Sequence, residues 1–295
     1  MTESNFKFEY HFQPWVTILS AGWCLLVFGL LQDTEIDSWE EAAKFGHYSA
    51  RAIWDGAYWA LITSAFVHYE VWHLIFNVYW LWKLGSEMEK TIGSIRYLVF
   101  ILVAAFVSSS FQLAVSDETG IGFSGVGYAI FGFMWLSRDR YPSFKKVLDP
   151  QIVSLFLVWL VFCFVITKLG IWQVGNAAHL SGLIFGGLVA FAFTVKSYRR
   201  LSQAGLIALI ALSWVPLFWC PWSTTWLGKE AYAAHSEGRY EEALDYYNRI
   251  IKKDPYNAWA YSNRADINRR LGKYVDALRD EKKAAELDPS YAKSE

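Results

Sequence analysis

Three groups of polar residues lie where the surrounding chain is apolar, and their types suggest acyl-transfer chemistry. The first is His68, His73 and Asn77. The second runs Gly120-Ile121-Gly122-Phe123-Ser124-Gly125-Val126-Gly127, and the third holds Asn176, His179 and Ser181 followed by Gly182 and Gly186. A serine hydroxyl is a weak nucleophile until a base takes its proton, and histidine is the side chain most often used for that task. Ser124 paired with His179 would make such a dyad. No Asp or Glu falls in the apolar windows that hold these two residues, so neither window supplies a carboxylate to complete a triad. The soluble-hydrolase elbow G-x-S-x-G is also absent, because its second glycine would stand where Val126 does. His73 and Asn77, four residues apart, present two donors on one helix face, where an oxyanion could be held. A metal site is the rival reading; asparagine is a poor ligand, and His68 lies off that face.

The elements that must position these groups are membrane spans. The chain has 295 residues, 54% of them hydrophobic, with 16 Trp, 21 Phe and 17 Tyr. Charge is absent from windows 10–32, 97–116, 119–137, 150–167, 169–195 and 201–228, and Glu70 alone interrupts a further window over 66–82. A helix needs about 20 apolar residues to cross the hydrocarbon layer, so seven spans are expected. The aromatic abundance suits interfacial belts. The first window lacks a basic leader and is not expected to be a cleaved signal peptide. The three cysteines, Cys24, Cys163 and Cys220, fall in separate windows and are read as inert buried thiols.

Basic residues sort to one side. With a cytoplasmic N-terminus, inner segments carry Lys7, Lys83, Lys90, Arg96, Arg138, Arg140, Lys145, Lys146, Lys196, Arg199 and Arg200. The outer loops before the last span carry Lys44, Arg51 and Lys168. That is the positive-inside pattern, and it makes spans two, four and six run in the same direction. Ser124 then lies ~20 Å and His179 ~24 Å above the inner edge, at about 1.5 Å per residue. A hydrogen bond between them is permitted by height. Ser124, Tyr128 and Gly132 share one face of span four; His179, Gly182 and Gly186 share one face of span six. Small residues let neighbouring membrane helices approach, which a dyad needs and which ordinary packing also explains. His68 is read as a support for the outer end of span two, Glu89 and Ser108–Ser110 as structural, and His11, His47 and His235 as solvated.

After residue 222 the chain becomes charged and repeats with a period of 34: Gly238-Arg239-Tyr240 returns as Gly272-Lys273-Tyr274, Ala243-Leu244 as Ala277-Leu278, and Asp254-Pro255 as Asp288-Pro289. This resembles the tetratricopeptide repeat, a helix–turn–helix unit. Two such repeats are too few to bury a continuous core, so the tail is expected to pack on the membrane domain, a second copy or a partner.

Taken in order, His68-x4-His73-x3-Asn77, Gly122-x-Ser124-Gly125 and Asn176-Ala177-Ala178-His179-x2-Gly182-x3-Gly186 resemble the bacterial rhomboid proteases, as does Leu84-Gly85-Ser86-Glu87-Met88-Glu89-Lys90 with Gly93. The likeness covers about 55–190. It implies an all-α six-helix bundle with a water-filled cavity, Ser124 as nucleophile and His179 as base. It also implies an oxyanion held by the Ser124 N–H with the His73 and Asn77 side chains, Tyr128 beside His179, and no metal or organic cofactor. Lateral parting of span five from span two is a further implication. One departure is that Ala60 follows Trp59 where the family often has Trp-Arg.

The expected organisation is a rhomboid-like six-span core over 1–200, an additional transmembrane helix over 201–222 and two repeats over 223–295. Pro216 and Pro221 leave a broken or interfacial helix as the alternative for the seventh span. The expected function is intramembrane serine proteolysis of single-span membrane proteins. The rivals are a catalytically silent scaffold that binds client membrane proteins and, less favoured, a transporter. Expected partners are transmembrane substrates, the lipid bilayer, and a protein partner or second copy at the repeat tail, with no nucleic acid. The expected location is the bacterial cytoplasmic membrane, N-terminus inside and repeat tail outside.

Overall fold

The computed structural model describes residues 12–292, so Lys7 and His11 lie outside the described residues. In chain order the helices are α1 (Trp15–Gln32), α2 (Trp39–Lys44), α3 (Ala50–Trp54), α4 (Ala60–Thr63), α5 (Val71–Trp80), α6 (Ser86–Ile92), α7 (Ser94–Ser116) and α8 (Ser124–Ser137). There follow α9 (Pro142–Val147), α10 (Pro150–Lys168), α11 (Asn176–Thr194), α12 (Arg199–Phe218), α13 (Thr224–Ser236), α14 (Tyr240–Lys253), α15 (Ala258–Arg270) and α16 (Tyr274–Leu287). No strand occurs among the described residues.

Five helices, α1, α7, α10, α11 and α12 with its lead-in from Lys196, are long and apolar enough to cross a membrane. The other two expected spans are shorter or interrupted. Helix α8 is a 14-residue apolar helix, and α5 continues into α6 through one π-helical turn at Leu81–Gly85. The chain is a multi-pass, all-α membrane protein. Helix starts follow local chemistry. At α10 the Asp149 carboxylate accepts from the Ile152 N–H at 2.9 Å, with Pro150 in the first turn, where its missing N–H costs nothing. Pro216 lies inside the last turn of α12, which runs unbroken to Phe218.

The α-carbon trace divides into two compact units. The first comprises 1–48, 59–113 and 119–214; the second comprises 49–58, 114–118 and 215–295. The core of the first is built from α1 and α5–α11, with Tyr97, Phe131, Met134 and Phe144 fully buried in it. The first turn of α1 has no cap of its own. It is capped instead by Glu89 of α6, whose buried carboxylate accepts from the N–H groups of Val16 and Thr17 at 3.0 and 2.8 Å, the Thr17 hydroxyl at 2.8 Å and the Ser94 hydroxyl at 2.7 Å. A carboxylate placed there meets both the orphan donors and the positive end of the helix.

In the second unit two helical hairpins, α13–α14 and α15–α16, turn at Gly238 and Gly272, with φ of +77° and +75°, a left-handed conformation that favours glycine. After each hairpin an aspartate folds back on its own turn: Asp254 accepts from the Tyr256 N–H and Asp288 from the Ser290 N–H. The buried Asp280 takes a bidentate pair from Arg264 at 2.6 and 2.7 Å, and Arg264 also donates to Asn248 of α14.

Two histidines depart from the solvated reading. His47 is 8% exposed, with Nδ1 2.8 Å from the Tyr69 hydroxyl, and burial pushes its pKa down to about 4. His235 meets the Asp266 carboxylate at 3.1 Å. Trp39 and Tyr69 flank His47, and Tyr247 and Asp266 flank His235, contacts that a loop or tail position does not reveal. At the Trp59 departure, Ala60 is fully buried, so the site lacks room for a longer charged chain.

Glu89→Leu is expected to lower stability by roughly 2–4 kcal/mol, since buried donors lose their acceptor. Glu89→Gln is expected to lose less. Thermal unfolding in detergent reads both.

Candidate active site

Two helices run parallel in direct backbone contact, and the site forms at their common start. A β-carbon on Gly182 would overlap the Gly125 carbonyl oxygen, and one on Gly186 would overlap the Ala129 carbonyl oxygen. The two sequences rise together, so α8 and α11 are parallel. On α8, Gly132 likewise lies against the Leu183 backbone. With no side chains between them the backbones close, and the first residues of α8 reach the first turn of α11. There the Ser124 hydroxyl lies 2.7 Å from His179 Nε2.

The histidine is fixed by packing. It is 4% exposed, and the Tyr128 ring lies over it with centroids 4.8 Å apart and planes 35° from one another. Tyr128 is itself held by donating to the Phe156 carbonyl of α10 at 3.0 Å. Nδ1 of His179 is buried without a hydrogen-bond partner among the described residues, so none of their carboxylates orients the ring. These contacts leave a serine hydroxyl and a histidine nitrogen paired with each other.

Ser124 opens α8 after Phe123, which has a helix-ending rather than helical backbone. Gly122 before it has φ +86°, and a β-carbon there would sit 2.7 Å from His73 Nε2 and 3.2 Å from His68 Nε2. Glycine therefore brings the loop against the histidines of the second span. The Gly122 N–H donates to the Ser64 carbonyl at 3.2 Å. His68 holds the loop from the other side: its Nε2 accepts from the Phe123 N–H at 3.4 Å, and its Nδ1 lies 3.2 Å from the Phe66 carbonyl. His68 thus supports the loop before Ser124 as well as the turn that leads into α5. The His73 ring lies 5.0 Å from that of His68, centroid to centroid. Asn77 donates one amide N–H to the His73 carbonyl at 3.0 Å, which leaves the other for a ligand.

Gln112 and Thr167, not singled out in the sequence, complete the frame together with Asn176, Gly125 and Ser108. Gln112 of α7 accepts from the Ala177 and Ala178 N–H groups at 3.1 and 3.2 Å, capping α11 one residue before His179. Asn176 donates to the Thr167 hydroxyl at 2.8 Å, tying α11 to α10. Gly125 lies against Ser108 of α7. Gln112 is an amide inside an apolar window, a signal that points to function or support. Among the described residues no cluster of three His, Cys, Asp or Glu could hold a metal ion.

In comparison with known proteins, the family profile described as Rhomboid domain matches residues 55–196. Residues 55–196 are thus similar to that domain. A Tetratricopeptide repeat profile matches residues 246–279, within α14–α16. Proteins named Rhomboid protease GlpG from Yersinia pseudotuberculosis and Yersinia pestis are each 38% identical over 141 residues, which is 48% of this chain and 50% of theirs. One from Yersinia enterocolitica matches with the same identity and coverage. The chain spans about half the length of these curated relatives. Ser124, His179, His73 and Asn77 all lie inside the matched range 55–196, while α13–α16 lie beyond it.

Gly186→Ala is expected to force α8 and α11 apart, with a loss of roughly 1–3 kcal/mol. Gly127→Ala, whose added carbon meets open space, is expected to be neutral or slightly stabilising. Thermal midpoints of the two variants in one detergent make the comparison.

Proposed function

We propose that the chain is an intramembrane serine endopeptidase that cuts single-span membrane proteins within or beside their transmembrane segments. The observation that carries this reading is the 2.7 Å contact between Ser124 Oγ and His179 Nε2 across two parallel helices. The relatives named as rhomboid proteases support it. In this reading residues 1–200 are the six-span protease core, 201–222 a seventh span and 223–295 the repeat module. The N-terminus faces the cytoplasm of a bacterial cell and the repeat tail lies outside. The tail's remaining surface takes a protein partner or a second copy.

The chemistry follows from the donors and acceptors in reach. His179 Nε2 takes the proton as Ser124 Oγ attacks the scissile carbonyl carbon, whose oxygen becomes an oxyanion. The Ser124 N–H, at an uncapped helix start, and the free donors of His73 and Asn77 stabilise that charge. His179 then returns the proton to the departing amine, leaving an acyl ester on Ser124. Water attacks the ester with His179 again as base, releasing the new carboxyl end and restoring the hydroxyl. Gly122, Gly182 and Gly186 act through backbone approach, Tyr128 by holding the His179 ring, and His68 by holding the loop. No step calls for a metal or organic cofactor.

The test is cleavage of a tagged single-span protein by the purified chain in lipid vesicles. Ser124→Ala and His179→Ala are each expected to lose at least about a thousandfold in rate while keeping the thermal midpoint. Undiminished cleavage by Ser124→Ala would end the mechanism. Equal silence of all three proteins across several substrates would favour a binding scaffold.

A further inference from the structure

The second compact unit contains a piece of chain distant in sequence from the repeats. Segment Ser49–Tyr58, which includes α3, belongs to it with residues 215–295, and α3 packs on α13. Lys229 of α13 donates to the Trp54 carbonyl at 3.0 Å and lies 3.6 Å from the Asp55 carboxylate. The Arg51 guanidinium sits 6.0 Å from the centre of the Tyr232 ring. Ile53 is fully buried and Trp54 is 4% exposed, and the Trp54 indole donates to the Pro216 carbonyl at 2.8 Å. At the far end of the segment the Tyr58 and Phe218 rings are 6.0 Å apart. Arg51 also walls the cavity formed by Thr225, Gly228, Lys229, Asn257 and Trp259 of the repeats.

We propose that the inner face of the first repeat takes the chain's own segment Ser49–Tyr58 as its ligand. Two hairpins alone leave one face of α13 uncovered, and a repeat array needs a neighbour on each side. The segment supplies that neighbour with two buried apolar side chains. Its charges are complementary: Asp55 lies between Arg51, at 3.8 Å, and Lys229. Gly228, Lys229 and Tyr232 lie on one face of α13 by helical spacing, and that face meets the segment. The repeat module is thus a brace for this segment rather than an empty receptor. Docking is independent of the proteolytic reading, since it involves neither Ser124 nor His179.

Hydrogen exchange by mass spectrometry on the full chain in detergent micelles tests the proposal without any cleavage assay. Backbone bonds such as Asp55 N–H to the Arg51 carbonyl, at 2.9 Å, make the segment's exchange measurable. Lys229→Glu combined with Tyr232→Ala is expected to speed exchange across 49–58 by about tenfold and leave α8, α11 and α15 unchanged. Adding Asp55→Lys to Lys229→Glu is expected to restore most of the protection. If the tail-side variant also loosens α14–α16, Arg51→Ala with Asp55→Ala carries the test, read as faster exchange in α13. Equal exchange of 49–58 in all tail-side variants, or unchanged α13 exchange in the loop-side variant, would overturn the proposal.

Discussion

The backbone contact between α8 and α11 is the constraint on which the site depends. A hydrogen bond between side chains on different membrane helices requires axes much closer than Leu or Phe at the contact would allow. Gly182 and Gly186 remove that barrier by letting two α8 carbonyls press directly on α11. The remaining elements act as buttresses. Helix α7 contributes Ser108 against Gly125 and Gln112 over the start of α11. Helix α10 receives the Tyr128 hydroxyl through the Phe156 carbonyl. The second span presses His73 and His68 against Gly122.

This arrangement fixes the histidine by shape rather than by charge. Its second ring nitrogen is buried without a hydrogen-bond partner among the described residues, and the Tyr128 ring lies over its face. Burying an additional ionised group inside a bilayer carries a large desolvation cost, whereas an aromatic ring fixes orientation without one. The buried carboxylate at Glu89 shows what is needed to keep such a charge in place. It has four donors and the positive end of a helix.

Much of this was legible in the sequence where one residue type carries the signal. Missing charge marked the spans, the 34-residue period marked the hairpins, and polar groups in apolar windows marked Ser124, His179, His73 and Asn77. Facts of rotation and long-range pairing were not legible. Composition does not say that Gln112 faces the start of α11, or that Gly125 and Ala129, rather than Ser124 and Tyr128, bear the closest backbone contact. His47 and His235 looked solvated because loops usually are, yet the residues that enclose them, Tyr69 and Asp266, lie 22 and 31 positions away. The docking of Ser49–Tyr58 on α13 spans still more sequence, 175 positions between Trp54 and Lys229.

The central claim is that α8 and α11 bring together a serine and a histidine that act as one unit. Covalent capture reads this most directly: the purified chain is treated with a fluorophosphonate, and the modified residue is located by peptide mass spectrometry. One adduct is expected, on Ser124, and it is lost in a folded His179→Ala variant. Modification at another residue, or equal modification of Ser124 without His179, would contradict it.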